Sequence, residues 1–196
     1  MELAKALAFV ATGFQLWAFW LYNRKMIVDQ QNPNTSTWLL WAVLTILNFT
    51  SYSIASGDIW KSLLPMATSF ACIGTCIFAL RRGKFKKLSG LTDMLVIIVG
   101  LTAAIVWKVY QSAALGNVTL QLAIVISFIP TFRDVLIKDE NPLPWLLWGV
   151  AYAFLLIVVI LRWQHQPWDL VYPLVGVTFH LAVALLSRAR RSQKER

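Results

Sequence analysis

Trp38-Leu39-Leu40-Trp41-Ala42-Val43 returns, at an offset of 107 residues, as Trp145-Leu146-Leu147-Trp148-Gly149-Val150. An Asn-Pro pair stands upstream of each copy, at Asn32-Pro33 and Asn141-Pro142. Downstream, Trp60 with Pro65 is matched at offset 108 by Trp168 with Pro173, and each copy ends in a basic cluster, starting at Arg81 and at Arg188. Biased composition duplicates tryptophans easily. Two prolines held in register by nearly the same offset point instead to a duplicated unit.

The unit belongs in lipid. Of the 196 residues, 58% are hydrophobic and 14% charged, against about 45–50% and about 25% in soluble domains. Apolar stretches cover 2–22, 37–55, 60–80, 90–111, 117–137, 143–162 and 168–188, each near the roughly 20 residues that a spanning helix needs. Hydrocarbon leaves an open backbone unsatisfied, and no β-barrel alternation is present, so these stretches read as helices. Helices 1–3 then repeat as helices 5–7. Three is odd, so direct fusion would invert the second copy; the extra helix restores its orientation. The expected architecture is an all-α integral membrane protein of seven transmembrane helices, two parallel three-helix bundles plus a linker helix (3+1+3). The first repeat occupies 1–88, the linker 89–115, and the second repeat with its basic tail 116–196. Carriers built from parallel repeats bind solute near midplane where the repeats meet.

Charge gives the orientation. There are 18 Lys+Arg against 9 Asp+Glu, a net charge of +9. In a soluble chain this would suggest nucleic acid; here the bilayer is the expected partner and nucleic acid is not. With the 1–2, 3–4 and 5–6 loops and the C-terminus on one side, the basic residues divide 14 to 4, leaving only Lys5, Lys61, Lys108 and Arg162 opposite. The positive-inside rule then puts the C-terminus in the cytoplasm and the N-terminus outside, in a plasma or bacterial inner membrane. Trp17, Trp20, Trp38, Trp41, Trp145 and Trp148 fall near inner helix ends, and Trp60, Trp107, Trp163 and Trp168 near outer ones, as interfacial belts do. Cys72 and Cys76, one helical turn apart in an apolar segment, read as packing residues.

Polar residues near midplane are the candidate solute contacts: Asn48, Ser51, Ser69, Ser127, Tyr152 and Thr178, with His180 and Gln15 somewhat below them. In lipid such groups hydrogen-bond to another helix or line a cavity. Candidate hinges are Pro130 in helix 5, the matched Pro65 and Pro173, and Gly13 as a looser counterpart in helix 1. Phosphate-binding glycine loops, zinc-ligand spacings and nucleophile elbows are missing. No enzymatic activity, metal or cofactor is therefore expected.

The three-plus-one-plus-three plan resembles the SWEET sugar transporters and the wider PQ-loop superfamily over nearly the whole chain. Gly116-Asn117-Val118 followed by Pro130-Thr131-Phe132 is similar to the opening of the family's second repeat, and Pro173 with Gly176 to a motif in its last helix. Asn32-Pro33 and Trp38 stand where that family enters its second helix. The chain departs from it at Phe14-Gln15, where the family carries proline, and at Met66 and Leu174, where it carries sugar-binding asparagines. The resemblance implies alternating-access transport of a small neutral or weakly polar, sugar-like solute by facilitated diffusion, and it is compatible with a homo-oligomer. Two other readings share the plan: a vitamin-precursor transporter of the nicotinamide-riboside type, and a non-transporting receptor or scaffold.

Overall fold

The computed structural model describes residues 2–28, 35–81, 90–137 and 140–194. Among them are seven α-helices and no strand: α1 (Glu2–Val28), α2 (Thr35–Ser56), α3 (Ile59–Arg81), α4 (Leu91–Tyr110), α5 (Ala113–Ile137), α6 (Pro142–Leu161) and α7 (Val171–Lys194), the last preceded by a 3-10 turn at Pro167–Leu170. Local chemistry explains the joints. Gly57 adopts φ +59 between α2 and α3, a conformation open to glycine at no steric cost. Asn141 caps α6 by accepting the Leu143 N–H at 3.1 Å, with Pro142 in the first turn, where a missing N–H is harmless. The matching Asn32-Pro33 lies outside the described residues, as does the basic run 82–87.

Among the described residues, six helices are long and apolar enough to cross a membrane, as a multi-pass membrane protein requires; the apolar stretch of α4, Met94–Tyr110, is shorter. The outward side chains suit lipid: Phe9, Phe70, Leu101, Leu122 and Leu185 are all exposed. A surface this apolar would be an aggregation liability in water.

The helix contacts close a ring. α3 packs against both α1 and α2, and α7 against both α5 and α6. α1 then meets α6, and α2 meets α5. α4 lies outside the ring, against α5 with a lesser contact to α2. Three close approaches depend on glycine, one of them Gly116 of α5 against Trp107 of α4. A Cβ on Gly149 would overlap the Leu181 side chain, and one on Gly176 the Tyr152 ring. α6 and α7 thus approach through small residues, the usual device where lipid removes the hydrophobic drive for helix association. Following the chain, α1 starts and α2 ends at one end of the bundle, here the amino end; α7 finishes at the opposite, carboxyl end.

Candidate functional site

Inside the ring lies a cavity of about 240 Å³. Its deepest part is polar, with Gln15 from α1, Asn48 from α2, Thr68 from α3 and Gln121 from α5. Its walls toward the carboxyl end are aromatic, with Trp38, Trp41, Trp145, Trp148 and Phe128 around His180. At that end the lining includes Tyr22, the half-buried Glu140 and the exposed Asp134.

The polar part is an amide network that ties the ring together. Asn117 Nδ2 donates to Asn48 Oδ1 at 3.0 Å and to Ser51 Oγ at 2.9 Å. Gln121 Nε2 donates to the same Asn48 oxygen at 2.8 Å. Across the cavity, Gln15 Nε2 donates to Thr68 Oγ1 at 2.8 Å. Gln15 and Gln121 are buried, and each leaves its side-chain carbonyl oxygen without a partner. A buried polar atom left this way costs about 1–3 kcal/mol, so both oxygens are places where a ligand donor gains by binding.

His180 is held by aromatic rings. It stacks on Tyr152 with centroids 5.0 Å apart and meets Phe128, Trp145 and Trp148 at 5.1, 5.9 and 5.8 Å. Its Nδ1 lies 2.7 Å from the Gly176 carbonyl oxygen. A carbonyl only accepts, so Nδ1 carries a proton and Nε2 is the nitrogen left for other partners. The Trp148 indole N–H is buried without an acceptor.

The amino end is sealed by charge. Lys61 Nζ meets Asp169 Oδ2 at 2.6 Å, and both side chains are 0% exposed. Tyr52 donates to the Asp169 carbonyl oxygen at 3.1 Å and packs on Tyr172, centroids 5.1 Å apart. Tyr172 in turn donates to Tyr152 at 3.2 Å, reaching the cavity wall. Beside this plug, Arg162 Nε donates to Asp58 Oδ2 at 2.5 Å, while Asp58 Oδ1 accepts the Trp60 N–H at 2.9 Å at the start of α3.

The sequence-selected residues divide. Gln15, Asn48, Tyr152 and His180 line the cavity, as does Pro130. Ser69 and Ser127 do not; they are buried and bond to backbone, Ser69 Oγ to the Thr45 carbonyl at 2.6 Å and Ser127 Oγ to that of Ile124 at 2.6 Å. Ser51 Oγ likewise donates to the Leu47 carbonyl and serves the amide network. Thr178 does not line the cavity either: it is exposed on α7 and is not among the residues around it. Pro65 and Pro173 are buried, and α3 runs on unbroken past Pro65, as α5 does past Pro130. Gly13 is exposed with open space where a Cβ would stand.

The tryptophans divide as well. Trp17 and Trp20 are 50% and 55% exposed, as anchors should be, but Trp148 is 3% exposed, and with Trp38, Trp41 and Trp145 it lines the cavity. Sequence reasoning passed over Asn117 and Gln121 as site residues and counted Lys61 only among the four basic residues on the outer side. The available signal was register: Lys61 and Asp169 are 108 apart, the offset that pairs Pro65 with Pro173. Comparison with protein-family models, with curated proteins and with solved structures finds no match.

Proposed function

We propose that the chain is a carrier that moves a small solute by alternating access, with α1–α3 and α5–α7 as two parallel repeats, α4 as the seventh crossing that joins them, and the SWEET/PQ-loop plan as its relationship. One observation carries the reading: the cavity is one-ended. Its lining extends to exposed residues at the carboxyl end, while the buried Lys61–Asp169 pair and the tyrosines behind it close the amino end. A channel needs a continuous path, and a receptor cleft has no need of a charged plug behind it. A carrier must close one end while the other is open.

The helix contacts support the repeat. Exchanging α1, α2 and α3 for α5, α6 and α7 maps the main ring contacts onto one another, the lesser α3–α6 contact excepted: α1–α6 becomes α5–α2, and α3 between its partners becomes α7 between its own. Lys61 and Asp169 hold the same register in their repeats and meet each other, as residues near a two-fold axis do. With the basic carboxyl end in the cytoplasm, this conformer faces inward. A volume of about 240 Å³ lies below the roughly 300–1,000 Å³ of drug-sized sites, so the solute is small. Facilitated diffusion is the mode, because the deep part of the cavity carries amides in place of carboxylates.

Reconstitution into liposomes tests the proposal. Saturable counterflow of a small solute is expected, and it should fall in Asn48→Leu. A panel of sugars, vitamin precursors and other small solutes that all move no faster than through protein-free liposomes would overturn it.

A further inference from the structure

One face of α7 changes its chemistry along the helix. Leu181, Ala184 and Leu185 recur at helical spacing, and Arg188 and Arg191 continue the same stripe toward the carboxyl end. Leu181 seats on Gly149 of α6, and beside it the first turns of α6 leave Leu143 and Leu146 exposed. Between the two helices these residues line a groove of about 610 Å³, which shares no residue with the central cavity. At about 1.5 Å per residue, Leu181 and Arg188 stand about 10 Å apart along the axis, so the groove is apolar at depth and basic at its outer end. Arg190 is engaged elsewhere: its Nη2 donates to the Ile137 carbonyl oxygen at 3.2 Å, tying α7 to the end of α5. Arg188 and Arg191 are exposed and line the groove. Glu140, at this end of α6, accepts from the Trp145 indole at 3.4 Å on the cavity side.

We propose that this groove binds a phospholipid with an anionic headgroup, its acyl chain along Leu146, Leu181 and Leu185 and its phosphate at Arg188 and Arg191. Any lipid tail fills the apolar half; the basic half selects the headgroup. Guanidinium groups pair with phosphate through two parallel N–H donors, and basic pockets between helices at a membrane surface hold anionic lipids in this way. A zwitterionic lipid offers the same phosphate but brings a trimethylammonium beside the arginines. A second copy of the chain fits worse, because a two-fold contact through this face would set Arg188 and Arg191 against their own counterparts. The site needs only a chain that lies in a membrane, and does not depend on the carrier reading.

The test compares two lipids that share their chains and differ in headgroup. The purified full-length chain in neutral detergent is incubated with dioleoyl phosphatidylglycerol, dioleoyl phosphatidylcholine or glycerol 3-phosphate. Bound lipid and oligomeric state are read by native mass spectrometry, and melting temperature is measured alongside. Phosphatidylglycerol should be retained roughly tenfold better than phosphatidylcholine. Arg188→Gln/Arg191→Gln should remove most of that preference, since each basic residue near a membrane surface is worth a factor of about five toward anionic lipid. Both positions are exposed, so the lipid-free variant should melt with the parent. Arg24→Gln/Lys25→Gln removes the same charge from the same end of the bundle and should leave the preference intact. Equal retention of the two lipids, or equal loss in the two double variants, would overturn the proposal. So would glycerol 3-phosphate raising the melting temperature as much as phosphatidylglycerol, which would make this a site for free phosphate, or a lipid-free dimer that parts in Arg188→Gln/Arg191→Gln, which would give the groove to a second copy. No flux is measured, so the carrier reading stands or falls apart from this result.

Discussion

Asn48 shows how much one residue carries in this molecule. Its side-chain oxygen accepts from both Asn117 and Gln121, so it joins α2 to α5 and also faces the cavity. Asn48→Leu leaves two buried amide groups short of an acceptor, each costing about 1–3 kcal/mol. The variant should melt well below the parent in detergent and lose flux together with stability. Thr178→Ala, at an exposed position, should change neither; a loss of flux there would show that the outer face of α7 takes part. The two sites also mark what can be read from sequence. Hydropathy gave the depth of Asn48 and Thr178 equally well, but depth is a coordinate along the helix, and the cavity depends on the coordinate around it. That angle is set by partners on other helices. The serines failed for a related reason: Ser51, Ser69 and Ser127 each donate to a backbone carbonyl of their own helix three or four residues back, a local option open to serine in any helix.

At the scale of elements, the α6–α7 contact determines the shape of the cavity wall. Gly176 lies under the Tyr152 ring, and that ring stacks on His180. Gly176→Ala must push Tyr152 toward the cavity or part the helices, an overpacking cost of about 1–3 kcal/mol. Loss of ligand affinity should exceed that of Gly13→Ala, where the added methyl meets open space and replaces glycine inside a helix, a change worth up to about 1 kcal/mol of stability. Equal effects of the two substitutions on binding would refute this account of the wall. Pro130 poses the dynamic question. It removes a backbone hydrogen bond within α5 while lining the cavity. Pro130→Ala restores the donor and should raise thermal stability; a hinge role requires that flux fall several-fold in the same variant, whereas unchanged flux reduces the proline to a static bend. The helices themselves were legible from composition, because lengths near 20 apolar residues admit little else in lipid. Which tryptophans anchor and which turn inward was not: Trp20 and Trp148 both sit near helix ends, and only packing separates them.

For the whole molecule, on the proposed carrier reading, the buried charges at the amino end set the balance between conformers. A pair with no exposure in either partner, Lys61–Asp169, gains little in free energy from being charged, since desolvation offsets most of the attraction, while removing one partner strands the other at a cost of about 3–5 kcal/mol. An apolar pair of similar size would close the bundle about as well. The reason to use charge in a carrier is reversibility: once water enters from the amino end, the two ions rehydrate and the plug separates, whereas an apolar seal resists wetting. Lys61→Met alone should therefore lower the melting temperature sharply, and Lys61→Met with Asp169→Leu should recover most of that loss while slowing flux. Accessibility supplies an independent reading. In a Cys72→Ala/Cys76→Ala background, and with the orientation proposed above, Thr131→Cys in the cavity lining should react with an impermeant thiol reagent from the cytoplasmic side of intact membranes and hardly at all from outside. Adding Lys61→Ala should open the route from outside. Labelling of Thr131→Cys from outside in the otherwise unaltered chain would mean that the buried pair does not close the cavity on that side, and the alternating-access reading would fall with it.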